Sequence, residues 1–175
     1  MKNLSGKELT YAEMNLRSQV NAYVETFRHY LDDCSEIRVD TLGPQIGIRE
    51  ARRVIGKETL LGDDIVRGIK RNDSIGRAAW SPEIHISDTE LQYIHISDND
   101  YASIPFGIID VKDCSNLWAA GRLVSTDSKG MSSVRVMGTS FATGQAAGVS
   151  AGVSAQKVSN YSIVREELLR QGALL

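Results

Sequence analysis

Gly138, Thr139 and Ser140, with Phe141 behind them, open a run of small residues that continues through Ala142, Gly144, Ala146, Ala147, Gly148, Ala151 and Gly152. Spaced like this they sit in one helix. A glycine inside a helix costs roughly 1 kcal/mol against alanine, so several together imply that a large body approaches that backbone closely. Thr139 or Ser140 is placed to cap the helix by accepting from an orphan amide. The remaining free amides, with the positive end of the helix dipole, suit a negative or electron-rich ligand. The same string also fits a tightly packed core helix with no ligand.

A second concentration of chemistry lies at Arg49, Arg52, Arg53 and Lys57, offset only by Glu50. Guanidiniums facing a cleft bind carboxylate or phosphate oxygens in a bidentate way. Equally, Arg49 and Arg53 would brace their own turn through Glu50 or nearby Asp residues. His85 and His95, each followed by Ile-Ser-Asp, place Asp88 and Asp98 nearby. That spacing matches no metal motif, and Asx side chains that form turns explain the Ser-Asp pairs.

These residues need elements to hold them. A first helix, capped by Thr10 with Glu13 as its capping-box partner, carries Leu16, Val20, Tyr23, Val24 and Phe27 at helical spacing. Ile37, Val39 and Thr41 alternate as in a strand with one wet face. Ile46 and Ile48 suit a short strand ending at Arg49, and Val54 to Leu60 another. Gly62-Asp63-Asp64 starts a short helix with acid at its positive end. Asp73 to Trp80 reads as a helical turn or two, stopped by Pro82. Glu83 to Ile86, Tyr93 to Ile96 and Ile104 to Ile109 are extended. Leu117 to Ala120 is a strand stopped by Gly121, followed by a polar loop from Ser125 to Ser133 and the basic Arg135. A last helix, Ile163 to Gln171, starts from Ser162 and stops at Gly172.

Composition narrows the classes. The 175 residues form one domain with a real core, 42% hydrophobic and 24% charged. A net charge of -2 offers no broad basic surface for nucleic acid. No apolar stretch reaches the roughly 18 residues a membrane span needs. The N-terminus is too polar for a signal peptide. Cys34 and Cys114 are expected as free thiols in a reducing cytoplasm, and no zinc spacing is present.

Two family resemblances share the same residues. GTSFAT, Gly138 to Thr143, resembles the nucleophile motif of subtilisin-like proteases, with Ser140 as nucleophile. Gly144 stands where that motif has proline, and no histidine has the context of a triad base. Four ordered blocks resemble the FAD-dependent oxidoreductase family: GIREARRVIGKETL (Gly47 to Leu60), DSIGRAAWSPEIH (Asp73 to His85), NLWAAGRLVS (Asn116 to Ser125) and RVMGTSFATGQAAG (Arg135 to Gly148). The four blocks are the more specific match. Such proteins begin with a GxGxxG turn, which is absent here, so the chain resembles the C-terminal portion of the family.

The resemblance implies an α/β or α+β fold, the C-terminal part of a Rossmann-type flavoprotein. Residues 1–115 match its substrate-side region and 116–175 its FAD-binding domain. It places FAD against Gly121, Arg122, Arg135, Gly138, Thr139, Ser140 and Phe141. Arg122 stands where many related flavoproteins carry an acid, and Gly138 where many carry proline. The helix start would direct amides at the pyrimidine end of the flavin, where they favour negative charge. Arg49, Arg53 and His85 fall in family motifs as substrate candidates, without a nameable catalytic base. The reaction implied is hydride transfer between a small substrate and flavin, with this chain not active alone. Its partner would be the missing nucleotide-binding half or a second copy. A non-catalytic oligomerising or partner-binding module is the other reading.

Overall fold

A helix of 25 residues, α1 (Gly6–Tyr30), opens the chain in a computed structural model that describes residues 5–87, 90–96, 100–156 and 160–175. Its cap lies one turn earlier than the Thr10 expectation. Ser5 accepts from the Glu8 amide while the Glu8 carboxylate accepts from the Ser5 amide, a complete capping box. Thr10 instead donates to the Gly6 carbonyl at 2.8 Å inside the helix. Glu13 pairs with Arg17 at 3.3 Å and accepts from the Ile46 amide at 2.6 Å. No residue of α1 is buried.

The chain divides into two compact units, Met1–Ala51 and Arg52–Leu175. In the first, the strands expected around Ile37 to Thr41 and Ile46 to Ile48 do not form. Arginines of α1 hold this return segment in place of a neighbouring strand. Arg28 donates to the Ile37 carbonyl through Nε at 3.0 Å and Nη2 at 2.8 Å. Arg17 donates to the Gly43 carbonyl at 3.3 Å.

The second unit carries the core. Its first helix, α2 (Gly62–Val66), is short, as expected. The stretch after Asp73 is a strand, β1 (Ser74–Ala78), and not a helical turn. Two further strands, β2 (Glu83–His85) and β3 (Leu91–Tyr93), pair antiparallel as a separate ribbon, with Glu83 opposite Tyr93. A fourth, β4 (Ala102–Pro105), pairs antiparallel with β1, Ser74 opposite Pro105 and Ala78 opposite Ala102. A bulge lies between Ser74 and Arg77. Beyond Pro105 the chain turns into a single 3-10 turn, Phe106–Ile108.

Val54 to Leu60 and Leu117 to Ala120 are extended but reduce to isolated bridges, Gly56 with Val111, Leu60 with Thr126 and Asp110 with Trp118. The expected polar loop contains a helix, α3 (Ser128–Val134), capped by Asp127. The Asp127 carboxylate accepts from the Gly130 amide at 2.6 Å and from the Gly62 amide at 3.0 Å, which ties α3 to α2. The small-residue helix is α4 (Met137–Gln156), 20 residues long and without a single charge. It crosses β1 at Gly76, where an added Cβ would stand 3.0 Å from the Ala142 Cβ. The last helix, α5 (Tyr161–Arg170), is capped by Asn160, not Ser162: the Asn160 side-chain Oδ1 accepts from the Ile163 amide at 3.1 Å. Gly172, at φ +79°, ends it as expected.

Ile65, Ile75, Ile104, Ile108, Met131, Val134, Val164 and Leu168 form one buried cluster between these elements. This mixture of helices and small antiparallel sheets is the α/β or α+β class that the sequence implies.

On α5, Arg170 clamps Glu167 through Nε and Nη2, both at 2.7 Å, and Gln171 adds a third bond at 2.7 Å. The Arg170 hydrogen bond, then that of Gln171, lower the Glu167 carboxyl from its ordinary 4.5 to about 2. A depressed carboxyl contributes stability above its unfolded value, and that contribution is lost as pH falls from 4.5 towards about 2. A carboxyl NMR titration is expected to place the Glu167 midpoint clearly below its ordinary 4.5. Arg170→Ala is expected to return it towards the ordinary value.

Candidate cofactor site

Two elements of the second unit build the site. The extended segment ending at Ala120 turns through a 3-10 turn, Gly121–Leu123, and α4 begins beside it. Gly121 sits at φ +62°, a conformation that L side chains adopt at a cost of roughly 1 kcal/mol or more. Its amide donates to Thr143 Oγ1 at 3.0 Å. Thr143 in turn donates to the carbonyls of Thr139 at 3.0 Å and Ser140 at 3.2 Å. A Cβ on Gly121 would lie 3.6 Å from Ser140 Oγ. The turn therefore rests directly on the first turns of α4.

The helix begins at Met137, one residue before Gly138 and ahead of both expected caps, Thr139 and Ser140. Ser140 donates its amide to the Val136 carbonyl at 2.9 Å, so neither Thr139 nor Ser140 is a cap. The amides of Met137, Gly138 and Thr139 make no hydrogen bond among the described residues. They are the first donors of α4, with the helix dipole behind them. Thr139 is buried, Gly138 is exposed, and Met137 and Phe141 are 78% and 75% exposed. Exposed apolar side chains beside free amides and a left-handed glycine match a ligand with a flat apolar body and polar edges.

The other expected residues fall as follows. Arg122 lies in the turn itself and is exposed. The Val54 amide donates to the Leu123 carbonyl at 2.9 Å, which brings the backbone beside Arg53 against the same turn. Arg135 ends α3 and donates from Nη2 to the Glu83 carbonyl at 3.4 Å. That contact ties the approach to α4 to β2, which carries His85. The His85 Nε2 stands 3.1 Å from the Glu83 carboxylate. Arg49 belongs to the first unit and is exposed. His95 is described, whereas Asp88 and Asp98 lie outside the described residues. Among the described residues no three His, Cys, Asp or Glu side chains gather to hold a metal, and no helix is long and apolar enough to cross a membrane.

In the sequence Thr143 is inconspicuous. Its only signal is a threonine one turn beyond Thr139, on the face that α4 buries.

No hydrogen bond joins a histidine to Ser140 among the described residues. An unactivated serine does not attack phosphorus esters at a useful rate. Treatment with a fluorophosphonate probe is therefore expected to leave Ser140 unmodified by mass spectrometry. Stoichiometric labelling there would establish a hydrolase.

The model of the FAD dependent oxidoreductase family matches residues 1–171. No curated protein and no solved structure matches the chain. The matched span takes in both units almost completely, including the turn at Gly121 and the start of α4. The chain belongs to the FAD dependent oxidoreductase family.

Proposed function

We propose that this chain is the C-terminal portion of a flavin-dependent oxidoreductase and supplies one wall of its FAD site. The observation that carries this reading is the left-handed Gly121 held by the Thr143 hydroxyl on the first turns of α4, inside the family span. The residues present fit the flavin end of the cofactor. Gly121 permits close approach of backbone, and the amides of Met137, Gly138 and Thr139 suit electron-rich ring atoms. Phe141 offers apolar contact, while Arg122 and Arg135 add positive charge near that end. FAD, when bound, supplies a two-electron acceptor for a hydride from a substrate carbon. Within the second unit, Arg53 and His85 are the residues that would bind or orient an anionic substrate.

The cradle for the pyrophosphate is not encoded in these residues, since no GxGxxG turn occurs in the sequence. A complementary nucleotide-binding polypeptide would complete the site and cover the outward stripe of α4. That stripe runs through Phe141, Gly144, Gly148, Ala151 and Gly152, all exposed. A second copy of the chain is the alternative cover, which light scattering distinguishes by mass.

Flavin fluorescence titration of the isolated chain is the decisive experiment. Weak binding, with Kd above about 1 μM (about -8 kcal/mol), is expected. Submicromolar affinity would overturn the incomplete-site reading. Absence of any flavin response, even with a complementary GxGxxG polypeptide, would favour a non-catalytic module.

A further inference from the structure

We propose that Thr143 is a positioning residue for the cofactor, an inference that rests on the flavin reading above. Its side chain is 1% exposed and lies inside α4, so it does not touch the ligand from the outer face. Its hydroxyl has one proton and two lone pairs. The proton goes to the Thr139 and Ser140 carbonyls, which fixes the rotamer. A lone pair is thereby turned towards Gly121, whose amide it receives at 3.0 Å.

This one contact couples the two halves of the site. The outward amides of Met137 to Thr139 belong to α4, and the left-handed turn carrying Gly121 and Arg122 belongs to a different segment. Gly121 spends no side chain on holding its place, and its conformation is one of several that glycine adopts freely. Without the Thr143 hydroxyl, the Gly121 amide loses its acceptor. The turn then loses a direct bond to the first turns of the helix. With it, both sets of ligand-facing groups are locked at a common spacing before any ligand arrives. Preorganisation of this kind shows as affinity and as local amide protection, more than as global stability.

The test uses the full 175-residue chain, with FAD at millimolar concentration as the probe. Amide NMR shifts follow binding, and hydrogen exchange follows the Gly121 amide. In the wild type, FAD is expected to shift the amide signals of Gly121, Arg122, Gly138 and Thr139. Thr143→Val keeps the shape and removes the acceptor. It is expected to weaken FAD binding by at least about fivefold, the worth of one ordinary hydrogen bond, and to speed exchange of the Gly121 amide. Thr143→Ser keeps the hydroxyl and is expected to restore both. If the valine variant does not fold, Thr143→Ala is read by the same two measurements.

Wild-type affinity in a folded valine variant whose Gly121 amide exchanges fast would overturn the positioning role and leave the flavin site standing. Unchanged Gly121 exchange in that variant would overturn it too. A folded wild type whose Gly121 and Gly138 amides do not respond to FAD, even with a complementary GxGxxG polypeptide present, would sink the flavin site, and this role with it.

Discussion

Leu168→Ala is expected to lower the unfolding free energy by about 3 kcal/mol. Leu168 is fully buried on α5, and it joins Val164, Ile75, Ile104 and Ile108 in the single core cluster. Truncation removes the transfer energy of its buried carbons and leaves a hole that two helices and a strand must close. The backbone has little room to follow. The Ala173 amide is bonded to the Leu168 carbonyl at 3.0 Å and Gly172 is already committed to its left-handed stop. Isothermal denaturation of the two proteins measures the difference. A loss below about 1 kcal/mol would mean that α5 is not part of the cooperative unit.

The second large effect is expected at Gly130, and it sets two opposing terms against each other. Alanine is favoured over glycine in a helix by up to about 1 kcal/mol, so Gly130→Ala should stabilise α3 on propensity alone. Space decides otherwise. An added Cβ would fall on Thr126 Oγ1 and come within 3.0 Å of Asp127 Oδ1 and 3.1 Å of the Leu60 carbonyl. Thr126 cannot simply step aside, because its hydroxyl donates to that same Leu60 carbonyl at 2.6 Å. Asp127 is held by the Gly62 and Gly130 amides. Overpacking of this kind costs about 1–3 kcal/mol, so a net loss of about 2 kcal/mol is expected. Gly148→Ala is the control, since an added Cβ there meets nothing within 4 Å. That variant should be neutral or slightly more stable. Equal losses in both would show that helix backbone, and not the α2–α3 junction, determines the outcome.

Residue types alone carried α4, α5 and the Gly172 stop, because those depend on local periodicity and on a conformation few residues tolerate. β1 was not legible. Ser-Ile-Gly-Arg-Ala has little β-branching, and its conformation is set by pairing with Ala102–Pro105, Ser74 with Pro105 and Ala78 with Ala102, far along the chain. α3 was hidden by Ser128, Gly130, Ser132 and Ser133, which read as turn residues. In the structure Ser132 donates to the Lys129 carbonyl and Ser133 to the Trp80 carbonyl, so their polarity is absorbed inside. In the site, Gly121 and the outward amides of Gly138 and Thr139 follow from types and spacing. The link through Thr143 does not, because it joins positions 22 apart by one hydroxyl.

The absence of charge along α4 has a kinetic consequence. An uncharged helix face exerts no pull of its own on an approaching molecule, and beside it on α5 Glu167 is already paired with Arg170, so steering of encounters there is weak. Association through the stripe from Phe141 to Gly152 would proceed near the unsteered rate of about 10⁵–10⁶ M⁻¹s⁻¹. Raising the ionic strength would alter that rate only through the flanking charges, Glu166, Glu167 and Arg170 of α5 among them, which salt screens. The persistence of such a complex would then depend on how closely its backbone fits against the glycines, and hence on how slowly it lets go.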